Sequence, residues 1–148
     1  MTYTLDYDEP LPEVVAKLKD EHKKLEPRLN QIEQLSKSGD LGAAISQLKA
    51  IKPTVLRHAV EEEARLMRII MWEFKDDSGD SIIILRYHRK IVEFFEHTLP
   101  SLATLPEKVG HREVGIFVKE LRQHHQREEE TVFPLAIKAN RLYEKGHH

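Results

Sequence analysis

The chain has 148 residues, no cysteine, and 23 basic side chains against 25 acidic ones, for a net charge of −2. That length suits one domain, 1–148, with a sizeable core, and the balanced charge offers no basic stripe to nucleic acid. Disulfides, thiolate metal sites, iron–sulfur clusters and cysteine nucleophiles are excluded, so any metal must be taken by His, Asp or Glu.

Met1 to Asp6 has no basic region followed by an apolar run, as a signal peptide would, and the longest aliphatic run is only Ile82-Ile83-Ile84-Leu85. The expectation is a soluble cytoplasmic protein with no membrane partner. Residues 1–10 read as a polar lead-in whose Tyr3, Leu5 and Tyr7 pack across the body. Pro12 then suits the first turn of a helix, and Glu13 sits where the helix dipole favours negative charge.

Leu11, Val15, Leu18, His22, Leu25, Leu29 and Ile32 step alternately by four and three, the spacing of one helical face, and predict a helix over 12–37. Pro27 removes one amide donor from it, and Gly39 marks the turn after it. A second helix over 40–73 faces inward with Leu41, Ala44, Leu48, Ile51, Val55, His58, Glu62, Leu66, Ile69 and Trp72; Pro53 means either a kink or a division. Lys75 to Asp80 reads as a loop. The third helix, 80–104, uses Ile84, His88, Ile91, Phe95 and Leu102, with Ile82 to Leu85 taken as buried helix. The fourth, 110–143, uses Val114, Phe117, Leu121, His124, Glu128, Val132, Leu135, Ala139 and Leu142, kinked at Pro134, and Gly146-His147-His148 is a tail set aside. Four such helices with short connections predict an all-α, antiparallel up-down-up-down four-helix bundle.

Within this pattern His58-Ala59-Val60-Glu61-Glu62 returns 66 residues later as His124-His125-Gln126-Arg127-Glu128. Each copy lies 36 residues beyond another histidine, His22 in the first case and His88 in the second. In an antiparallel hairpin, residues equidistant from the turn lie level; His22 and His58 centre on Asp40, and His88 and His124 on Pro106. The i, i+4 step places each Glu on the face of its His, about 6 Å along the axis. Residues 62 and 88 centre on Lys75 at the edge of its loop, so the match between the second and third helices is the looser one.

All six residues occupy slots that Leu, Ile or Val would otherwise fill. A buried ionised carboxylate costs several kcal/mol unless compensated, and this core holds two; metal cations would compensate both. Alone, each His reads as a hydrogen-bonded core histidine and each Glu as the edge of a solvated run; recurrence in register favours metal. His125 is the rival to His124, otherwise exposed or orienting. His97 and His111 read as surface residues, and Glu61, Glu129 and Tyr87 either orient ligands or face solvent. Two carboxylates and four imidazoles suit a dinuclear site with positions left for a solvent or oxo bridge and for a small oxidant such as dioxygen, peroxide or nitric oxide. Imidazole with carboxylate favours iron or manganese over zinc, which prefers four ligands.

These residues resemble the haemerythrin-like, HHE cation-binding family, through Asp20-Glu21-His22, His58-x-x-x-Glu62-Glu63-x-x-Leu66-Met67, Tyr87-His88 and His124-x-x-x-Glu128-Glu129-x-x-Val132-Phe133-Pro134, over roughly residues 11–142. The resemblance implies a four-helix bundle with two iron ions bound by His22, His58, Glu62, His88, His124 and Glu128, with Glu62 and Glu128 bridging. Oxygen carriers of the family have a further His where this chain has Val92, and end on His-x-x-x-x-Asp where it has His-x-x-x-Glu. The chain therefore resembles a two-Glu branch, without the cysteine-bearing segment of that branch's repair proteins. The resemblance implies a role in oxygen, nitric oxide or peroxide response or in iron handling. A di-iron peroxidase or nitric-oxide reductase, and a metal-free helical interaction module, remain as alternatives, and the oligomeric state stays open.

Overall fold

The long stripe of the first helix forms as its spacing dictates. In the computed structural model, which describes residues 4–75 and 79–146, helix α1 spans Leu11–Lys37 and buries Leu11, Val15, Leu18, His22, Leu25, Leu29 and Ile32. Pro27 faces outward and the helix continues through it. The turn needs Gly39, whose φ of 91° lies in the left-handed region that side chains disfavour. Asp40 then opens α2, its carboxylate accepting a hydrogen bond from the amide of Ala43 at 3.0 Å.

Helix α2 runs from Leu41 to Glu61 without a break at Pro53, widens into a π-helical turn over Glu62–Met67 and ends as α-helix over Arg68–Glu73. The expected Lys75–Asp80 loop falls partly on residues 76–78, outside the described residues, and helix α3 begins at Gly79. It spans Gly79–Glu93, a π turn over Phe94–Thr98, Leu99–Ser101 and a 3-10 turn over Leu102–Thr104. Helix α4 spans Glu107–Arg127, a π turn over Glu128–Val132, and Phe133–Gly146. Pro100 and Pro134 each stand two residues beyond a π turn. A proline lacks the amide that would bond four residues back, at Glu96 and Glu130, and clashes with that carbonyl; the widened turn absorbs both effects.

The fold is all-α, four helices packed against one another as a bundle, with no strand among the described residues. Each π turn inserts one residue into the helical period, and this corrects two stripes. Beyond Glu62 the buried positions are Leu66, Met67 and Ile70, while Trp72 is 58% exposed. Beyond Glu128 they are Val132, Phe133, Ala136 and Ala139, while Leu142 is 41% exposed. Of the aliphatic run in α3 only Ile84 is fully buried; Ile82 and Ile83 face outward. Tyr7 is also exposed and Tyr3 lies outside the described residues; the lead-in is held by Arg65, which donates to the carbonyls of Asp6 and Glu9.

The apolar interior comes in two parts. One joins Leu25, Leu29 and Ile32 to Leu48, Ile51, Phe95, Phe117 and Leu121; the other joins Leu11, Val15 and Leu18 to Leu66, Ile70, Ile84 and Phe133. In sequence, a polar layer of His22, His58, Glu62, His88, His124 and Glu128 falls between them on every helix. No helix among the described residues is long and apolar enough to cross a membrane.

Candidate metal centre

The polar layer draws His22 from α1, His58 and Glu62 from α2, His88 from α3, and His124 and Glu128 from α4. All six are buried, the two carboxylates completely. The i, i+4 spacing sets His58 Nε2 3.3 Å from Glu62 Oε1 and His124 Nε2 3.5 Å from Glu128 Oε1. Level matching across the first hairpin brings His22 Nε2 to 3.2 Å from His58 Nε2, and His22 Nε2 also lies 3.1 Å from Glu128 Oε1. The looser joint between α2 and α3 closes too, with His88 Nε2 3.4 Å from Glu62 Oε1. One ligand-type atom from each of Glu62, His88, His124 and Glu128 falls within a mutual 4.8 Å, as do atoms of His22, His125 and Glu128.

Behind the ring nitrogens sits a second set of groups, arranged by the same repeat. Glu129 lies 3.1 Å from His22 Nδ1, and Glu63, its equivalent one repeat earlier, lies 3.5 Å from His88 Nδ1. Glu21 lies 3.3 Å from His58 Nδ1, while Tyr87, its equivalent, stacks on the His124 ring with centroids 4.3 Å apart. Carboxylates placed this way fix ring orientation and raise imidazole basicity. Glu21 and Glu63 are not singled out by sequence reasoning, although their adjacency to His22 and Glu62 is a signal. Glu61 points elsewhere, binding Arg57 at 3.2 Å and Lys17 at 2.8 Å, and Arg57 in turn pairs with Glu21. His125 is buried rather than exposed, its ring stacked on His22 at 3.9 Å with 18° between the planes. Both His124 and His125 have a ring nitrogen close to Glu128, each in a separate group of ligand-type atoms. His97 is exposed, and half-buried His111 shares a 2.8 Å hydrogen bond with Ser36.

The charges are coupled. Burial works against ionised Glu62, yet His58, His88 and His124 hold its carboxyl below the usual range. Burial likewise opposes charge on His88, but Glu62 and Glu63 lift its pKa to about 9. Burial drives His124 down to about 3, with Glu62 opposing in part, and it lowers His22, His58 and His125 as well. Tyr87 is raised by burial and by Glu120, which keeps its phenol protonated.

Several atoms that face the layer lack any hydrogen-bond partner: both oxygens of Glu62, His88 Nε2, His124 Nε2 and Glu128 Oε2. Buried polar atoms are ordinarily satisfied, and leaving them unpaired costs on the order of 1–3 kcal/mol each. Imidazole nitrogens and carboxylate oxygens converging without hydrogen-bond partners are the donor set a cation takes once His88 gives up its proton, so the residues present fit a metal.

A bundle of four helices with such a layer at its middle defines a cation-binding helical protein. The chain belongs to the haemerythrin family: residues 13–136 match the Hemerythrin HHE cation binding domain. Neither a curated protein nor a solved structure matches the chain.

Proposed function

We propose that the polar layer holds two iron ions and that the protein responds to, or handles iron under the influence of, a small oxidant: dioxygen, peroxide or nitric oxide. His22 and His58 would serve one ion, His88 and His124 the other, with Glu62 and Glu128 shared, as in the two-Glu branch that the motifs resemble. The observation that carries this reading is the convergence of partnerless nitrogen and oxygen atoms on one buried layer. Donors of imidazole and carboxylate type suit iron or manganese. Iron there supplies one-electron chemistry toward a small oxidant.

The protein's own groups do the rest. Glu129, Glu21 and Glu63 aim the imidazoles, and the apolar clusters on either side exclude water. A cavity of about 10 Å³ adjoins Glu62, His88 and His124. That is the least room that holds one water-sized molecule, which excludes bulky substrates.

Elemental analysis of protein purified without chelator, and then anaerobic iron titration with absorption spectra before and after air, tests the reading. Two irons per chain and new bands on oxidation are expected, with both lost in Glu62→Ala. Saturation at one ion, or a melting temperature indifferent to chelator, would instead favour a helical interaction module that carries no metal.

A further inference from the structure

Besides Glu21 and Tyr87, the two halves of the repeat differ at a second position beside the layer: Ala59 in α2 corresponds to His125 in α4. On the α1/α4 side the His125 imidazole covers His22, with centroids 3.9 Å apart. On the α2/α3 side there is only a methyl group. The internal cavity and an outer groove between α2 and α3 have two wall residues in common, Ala59 and His88. The cavity touches His58, Glu62, His88, His124 and His125 but neither His22 nor Glu128. The groove mouth carries Glu63, Glu93 and Glu96 against a single Arg89 and His97, so its field disfavours anions.

Resting on the metal reading above, we propose that a small uncharged ligand reaches the centre through the α2/α3 groove. It passes Ala59 into the cavity beside His58, Glu62 and His88, while His125 closes the opposite side. Ala59 is then the residue that sets the size limit, because any larger side chain there fills the wall shared by groove and cavity. Neutral diatomics and hydrogen peroxide pass; azide and other anions are slowed by the carboxylates.

The test is nitric oxide association with anaerobic, iron-loaded, reduced protein in a stopped-flow instrument, with iron per chain measured for every variant. Ala59→Leu narrows the passage. Val92→Trp blocks the groove mouth from an exposed position and leaves the core untouched. Gln126→Trp crowds the opposite groove, beside Lys23 and Glu129. With iron content equal to the parent's, the rate should fall tenfold or more in Ala59→Leu, severalfold in Val92→Trp, and stay within twofold in Gln126→Trp. Should Ala59→Leu lose iron, Val92→Trp alone decides the route. A parent chain holding two irons whose rate ignores both groove variants, or slows only in Gln126→Trp, overturns the route and leaves the metal reading standing. A parent without iron overturns both.

Discussion

Each imidazole of the layer is gripped from behind, and three of the four grips are carboxylates reaching from a neighbouring helix. Such a carboxylate would act on a bound metal through the ring, by orienting it and enriching its electrons. Glu129 shows the role cleanly because it is itself 42% exposed and contributes little to packing. Glu129→Gln keeps the shape and removes the charge behind His22 Nδ1. Metal affinity should fall about 10- to 100-fold, read by competition with a chelator, with the melting temperature of the metal-free protein nearly unchanged. Glu63→Gln makes the matching case on His88. In metal-free protein the His88 ring should titrate near 9, and a measured value that stays there after Glu63→Gln would assign the lift to Glu62 alone. The roles of these carboxylates are not legible in the sequence, because adjacency to a ligand says nothing of direction. Glu61 and Glu63 flank Glu62 on its two sides; the first binds Lys17 and Arg57, the second His88.

Among the helices, the recurring device is the π turn that begins on each buried carboxylate of the layer, at Glu62 and again at Glu128. Upstream of each turn the ordinary period holds, which is why the whole stripe of α1 and the stripes of α2 and α4 up to their glutamates are legible in the spacing. Downstream, one extra residue advances the buried set. Helical periodicity alone therefore places Ile69, Trp72, Leu135 and Leu142 inward, where the fold buries Met67, Ile70, Phe133 and Ala136. The i→i+5 bond has no propensity signal; only Pro134, two residues past the second turn, hints at local widening. The six candidate ligands are legible because they lie upstream of, or at, these turns and are fixed by the repeat. If the turn exists to splay Glu128 and Glu129 toward different partners, deleting the exposed Glu130 together with Pro134→Ala, which removes the clash the turn absorbs, should let α4 close into a continuous α-helix. The apolar residues beyond it would keep their inward phase, so circular dichroism and cooperative unfolding should persist. Metal affinity should drop by at least tenfold, and an unchanged affinity would strip the π turn of its role in the site.

For the molecule as a whole, the layer divides the core and makes stability answer to protons and metal together. Without metal, His22, His58, His124 and His125 all have folded pKa values below the ordinary 6.5, so below that pH the unfolded chain binds more protons than the native one. Stability must then fall on acidification, by about 1.4 kcal/mol per pH unit for each histidine held neutral. Glu62, whose folded pKa is depressed, adds stability that is present above 4.5 and is lost as pH falls through its folded value. His88 has the opposite sign: raised to about 9, it contributes fully below 6.5 and loses that contribution as pH climbs through 9. The metal-free protein should therefore be most stable near pH 6.5, with a steep acid limb from several imidazoles and a shallow alkaline limb from one. Urea midpoints at pH 5, 6.5, 8 and 9 measure this shape directly. Metal reverses the requirement at His88, whose proton has to leave before its nitrogen can bind a cation, so loading should move the optimum upward. At a thousandfold excess over the dissociation constant it should add about 4 kcal/mol at pH 8. At pH 5 the gain should shrink, because protons compete for every imidazole in the layer. A flat pH profile in metal-free protein would mean that these rings reach water in solution, and equal midpoints with and without metal at pH 8 would mean that the layer binds no cation.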